Sequence, residues 1–120
     1  MLQVDWNGLL DYTPDNIEKY AENNGGVYRL SYVNNVESSK LIVFLVEGSR
    51  RLKDDLLQHF KHTEPTPCVK SRMMKNECFF DFAYLDETLI DGVERFLFET
   101  YEPECGLHAS SQTPIPVNLN

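Results

Sequence analysis

The chain has 120 residues, 42% of them hydrophobic with seven Phe and six Tyr, enough for one modest core and calling for no second domain. It carries 19 Asp and Glu against 11 Lys and Arg, a net charge of −8, the wrong sign for gripping nucleic acid through many phosphate contacts. No run of about 18 apolar residues is present to cross a bilayer, and Met1-Leu2-Gln3-Val4-Asp5 lacks the basic-then-apolar build of a signal peptide, so a soluble cytoplasmic protein is expected.

The first predicted element is a short helix from Thr13 to Ala21, with Thr13 as N-cap, Pro14 at the first helical position and acids in the first turn. Asn23-Asn24-Gly25-Gly26 ends it. Val27 to Val33 alternates apolar and polar residues as a half-buried strand, and Asn34-Asn35 with Ser38-Ser39 marks the connection to a second strand, Leu41 to Glu47, giving a hairpin. The second strand is nearly continuous in apolar residues, which places it at the centre of a small sheet. Arg51 to Lys61 is predicted helical, with Leu52, Leu56, Leu57 and Phe60 on one face, until Thr63-Glu64-Pro65-Thr66-Pro67 stops it. Cys68 to Lys75 forms another helical stretch, Cys78 to Tyr84 a third strand by its aromatic content, and Asp86 to Tyr101 the last long helix.

The fold class expected is therefore α/β, a small three-stranded antiparallel sheet flanked by helices. Residues 1–106 make a single domain, and 107–120, rich in Ser, Pro and Asn, a flexible tail. Cys68, Cys78 and Cys105 are an odd, widely spaced set without a CxxC pair, which argues against a disulfide framework and against a sulfur-based zinc site. Charge is unevenly spread: Arg50 to Lys75 holds seven Lys/Arg against three Asp/Glu, whereas Glu77 to Gly106 sets nine acids against Arg95.

Gly26-Val27-Tyr28, the strand ending Leu45-Val46-Glu47, and the helix carrying Leu52, Leu56 and His59 follow one another in an order that resembles the opening of the GIY-YIG nuclease family. With Leu52 set on the motif's helix leucine, the register runs without gaps. Tyr28 matches the first motif's tyrosine, Leu56 and His59 the helix leucine and histidine, and Ser49 a small polar position. Leu45 replaces the second motif's tyrosine, Glu47 its glycine, Arg51 the asparagine and Asp55 the catalytic arginine. Glu94 and Pro103 keep the places of the family's metal-binding glutamate and helix-ending proline, while Gly106 occupies the position of its terminal asparagine.

What the resemblance implies is a GIY-YIG endonuclease-like domain. The family's reaction is hydrolysis of a DNA phosphodiester by a water activated near the first tyrosine, with a divalent metal held by the glutamate and an arginine stabilising the phosphoryl charge. Tyr28 and His59 are the matched catalytic positions and Glu94 the metal position, with Mg²⁺ or Mn²⁺ as the cation if the site is active. Asp55 puts a carboxylate where that chemistry needs a cation, and Glu47 obstructs the approach of a phosphate. Arg50, Arg51 and Arg72 are the candidates for a substitute phosphate contact, and Glu47, Asp55 and Glu94 a candidate carboxylate cluster. Two readings follow: a catalytically degenerate domain acting as a binding module for a protein partner, or a metal-dependent endonuclease with a rearranged site.

Overall fold

A computed structural model of the chain describes residues 1–34, 40–106 and 111–119. Its elements run β1 (Asn7–Asp11), α1 (Pro14–Tyr20), β2 (Gly26–Asn34), β3 (Lys40–Ser49), α2 (Leu52–Gln58), α3 (Pro67–Lys75), β4 (Cys78–Tyr84) and α4 (Glu87–Tyr101). One sheet orders the strands β1-β4-β2-β3, each pairing antiparallel. The sheet thus has four strands where three are expected. The additional strand, β1, is a five-residue run in which Gly8 takes φ 131 and the register slips between Asn7 and Leu10, so no alternation marks it in the sequence.

The cap expected at Thr13 forms, its hydroxyl accepting from the Asn16 N–H at 3.2 Å, and Asp86 also caps α4, accepting from the Thr88 N–H at 3.0 Å. The β2–β3 hairpin forms too, although residues 35–39 of its connection lie outside the described residues. β3, expected at the centre, is an edge strand, and β2 is central. The apolar run of β3 reflects cover on both faces. A bulge between Leu30/Leu45 and Ser31/Val43 turns both Phe44 and Leu45 into one core, with Leu52, Leu56 and Val69 from α2 and α3. Val46 joins Val27, Val93 and Leu97 in a second core under α4.

One further expectation changes, that against a disulfide, and the segment expected as a tail makes contacts of its own. Among its described residues, Ile115, Val117 and Leu119 pack against the domain. Leu2 and Val117 form a bridge, the Ile115 N–H donates to the Gly92 carbonyl at 2.9 Å, and Val117 is 1% exposed. Ile115, Val117 and Leu119 are apolar at alternate positions, and this two-residue period lets an extended segment lay one side on the second core. Cys68 and Cys105 are joined in a disulfide, their Cα atoms 5.5 Å apart across a separation of 37 residues, while Cys78 is free and buried. Sequence spacing hides the pair because only the packing of α3 beside the loop after α4 brings them together. Among the described residues no helix is long and apolar enough to cross a membrane.

Candidate functional site

The site is built outward from β2. At Gly26 the strand crosses β4 so closely that an added Cβ would lie 2.1 Å from the Ala83 carbonyl oxygen, and only glycine fits. Two residues on, Tyr28 pairs with Glu47 of β3 and Phe82 of β4, and its side chain is fully buried. Its hydroxyl lies 2.5 Å from Glu47 Oε2 and 2.9 Å from His59 Nε2 at the end of α2. On the other side of the imidazole, Nδ1 is 2.6 Å from Glu64 Oε2, and Glu64 Oε1 accepts from the Thr66 N–H at 2.9 Å. Glu64, its side chain 1% exposed, is the site residue sequence reasoning missed. The available signal was an acid five residues beyond the helix histidine, in a Pro-containing turn that cannot prolong the helix and so folds back over its end.

These four side chains form one hydrogen-bonded chain, Glu64–His59–Tyr28–Glu47. Its three contacts need three protons. Ionised Glu64 and Glu47 with a neutral imidazole and a tyrosine supply two, so the full chain requires a third proton, carried by the imidazole or by one of the two carboxylates. Burial pushes the Tyr28 hydroxyl well above its ordinary value of 10.0, and the charge and hydrogen bond of Glu47, then Tyr12 and Asp55, push it the same way. The tyrosine is therefore held as the neutral phenol.

The substituted positions have structural partners of their own. Leu45 lies in the core at 2% exposure. Ser49 donates to the Asp55 carboxylate and its oxygen accepts from the Arg51 N–H at 3.0 Å, so Asp55 braces the turn between β3 and α2. Gly106 packs against Phe98 and Pro103, where an added Cβ would meet Phe98 at 2.3 Å. Each candidate arginine is engaged by acids. Arg50 pairs with Glu87 and Asp91, Arg51 with Asp54, and Arg72 with Glu104 at 2.7 Å while stacking over the Tyr32 ring at 4.3 Å.

Glu94 Oε2 accepts from the Gly48 N–H at 2.6 Å. Burial raises its carboxyl above the ordinary value. Glu47 and Asp91 add to the rise, while the Gly48 hydrogen bond and Arg50 oppose it. The proposed cluster of Glu47, Asp55 and Glu94 does not assemble: each carboxylate turns to a different partner, Tyr28, Ser49 and Gly48. Among the described residues the metal-ligating side chains that do gather are Cys68, Glu104 and Cys105, and the two cysteines are bonded to each other. The donor set at Glu94 still fits a hydrated hard cation, since Mg²⁺ binds through one or two carboxylates and keeps several waters, and one oxygen of Glu94 remains.

Among solved structures, the chain is similar to the GIY-YIG N-terminal endonuclease domain of UvrC from Thermotoga maritima, crystallised as a tyrosine-to-phenylalanine point mutant bound to its catalytic divalent cation. The match has a TM-score of 0.55 at 17% identity and covers 78% of this chain and 98% of that one. No protein-family model and no curated protein matches the chain. The chain has a GIY-YIG endonuclease-like fold.

Proposed function

We propose that this GIY-YIG-like domain has lost nuclease chemistry and acts as a binding module for a protein partner. The observation that carries the reading is the state of Tyr28: fully buried, its hydroxyl taken up by Glu47 and His59, with Asp55 braced on Ser49 in place of the family's arginine. Phosphodiester hydrolysis needs a preorganised cation facing the developing phosphoryl charge, and loss of one such donor costs about a hundredfold or more in rate. Here two carboxylates act on Tyr28, Glu47 by charge and hydrogen bond and Asp55 by charge alone, and both raise its pKa. Arg50, Arg51 and Arg72, the residues able to replace the missing cation, are paired with acids.

If the domain binds a divalent cation, Glu94 is the residue to hold it, and the cation would supply charge neutralisation on a phosphate oxygen. Among the described residues the candidate arginines that would supply the matching positive group are paired with acids. A net charge of −8 favours a basic protein surface over nucleic acid as partner.

The test is incubation of the purified chain with labelled single-stranded, duplex and branched DNA and RNA in Mg²⁺ or Mn²⁺, with Glu94→Ala alongside. No cleavage in any lane is the expected result. Cleavage by the unmodified chain that disappears in Glu94→Ala would overturn the reading and establish a rearranged endonuclease.

A further inference from the structure

The Cys68–Cys105 disulfide stands at a junction between the Tyr28 site and the free edge of the sheet. Cys68 lies in the first turn of α3, two residues after Thr66 and four after Glu64. Glu64 binds the Thr66 N–H with one oxygen and His59 with the other, and the Thr66 carbonyl accepts from the Lys70 N–H at 3.2 Å. The start of α3 and the turn that delivers Glu64 are thus one hydrogen-bonded unit. At the other end of the bridge, the Cys105 N–H donates to the Phe44 carbonyl of edge strand β3 at 2.9 Å. Besides the disulfide, α3 is tied down by buried Val69 and by Arg72, which pairs with Glu104 and lies over Tyr32.

We propose that the Cys68–Cys105 disulfide is a redox latch on the Tyr28 site: closed, it holds the turn that carries Glu64 onto His59, and opened by a dithiol reductant it releases that turn. The inference goes beyond the loss of nuclease chemistry and stands whatever Tyr28 does, because it concerns how His59 is held.

The chemistry is thiol–disulfide exchange. A thiolate of the dithiol attacks Cys68 Sγ, since Cys68 is a partly exposed residue and Cys105 is 1% exposed. The Cys68–Cys105 bond breaks and Cys105 leaves as the thiolate. The reductant's second thiol then attacks the mixed disulfide and releases Cys68. Two electrons pass to the protein, two protons end on Cys68 and Cys105, and the dithiol becomes its own disulfide. Cys78 stays out of the exchange: it is buried, and burial pushes its thiol up to about 11, leaving little thiolate to attack either partner.

The experiment compares the full chain, air-oxidised and reduced with dithiothreitol, by hydrogen–deuterium exchange and by NMR of the His59 ring. Oxidised protein is expected to contain one thiol. Reduction is expected to speed exchange in 59–76 and 102–106 at least tenfold, leave β2 protected, and move the His59 ring signals toward those of oxidised Glu64→Gln. A Cys68→Ser/Cys105→Ser double variant should match the reduced protein with or without dithiothreitol. Unchanged exchange in 59–66 and unchanged His59 signals on reduction would overturn the latch. Three free thiols in the oxidised chain, or loss of β2 protection on reduction, would do the same, the last by showing a staple of the whole fold.

Discussion

Tyr28 and Glu47 face each other directly across the β2–β3 ladder, the tyrosine hydroxyl 2.5 Å from the glutamate carboxylate. Cross-strand neighbours on one face are the closest contacts a sheet provides. The resemblance sets a glycine at the position of Glu47, so a single side chain closes the space beside the tyrosine.

Tyr28→Phe should destabilise the fold by about 1–3 kcal/mol, because it removes the hydroxyl that bonds both His59 Nε2 and Glu47 in a buried site. Glu47→Gln should fold normally, since a side-chain amide donates to the tyrosine oxygen and frees the hydroxyl proton for His59. The pair also sets an alkaline limb. Tyr28 and Tyr12 are both held neutral above the ordinary value of 10.0 by burial and then by acids, so the fold binds more protons than the unfolded chain at high pH. Their contribution is intact below about pH 10 and is lost as pH rises above it. Urea unfolding at a series of pH values checks both statements, with the alkaline loss smaller in Glu47→Gln.

Glu94→Gln should raise the urea midpoint at about pH 7 and leave it unchanged well below the ordinary carboxylate value of 4.5. The folded carboxyl is raised, so its contribution is present below the unfolded value and lost as pH rises through the folded one. The amide oxygen of glutamine keeps the acceptor for the Gly48 N–H while removing the charge. A lower midpoint at neutral pH would show that Glu94 is stabilised as the anion.

Asp81→Ala should cost about 1–3 kcal/mol, measured by chemical denaturation, because it takes the carboxylate from a largely buried guanidinium that keeps only its other partners. Arg29 and Asp81 are 14% and 12% exposed at their side chains, and Arg29 also bonds the Tyr101 hydroxyl at 2.8 Å and lies 3.7 Å over the Trp6 ring. Replacing both partners with apolar residues of similar volume should recover most of the loss.

Gly26→Ala should cost about 3 kcal/mol, read as a lowered thermal midpoint. The added methyl meets the Ala83 backbone oxygen rather than a side-chain end, so the β2–β4 crossing itself must open.

Local rules were legible in the chain. Thr13 and Pro14 start a helix because capping and a fixed φ act within one turn, and Cys78 to Tyr84 makes a strand because aromatic residues suit a pleated face. Tyr28, His59 and Glu94 could be singled out from their joint register with a known motif series. The pairing of β1 with β4, the edge position of β3, the docking of Val117, the Cys68–Cys105 bridge and the meeting of Glu64 with His59 were decided by tertiary structure. The physical reason is range. Caps, turns and periodicity depend on neighbours a few residues apart. Strand order, disulfide partners and buried carboxylates depend on which surfaces the collapsed chain brings together.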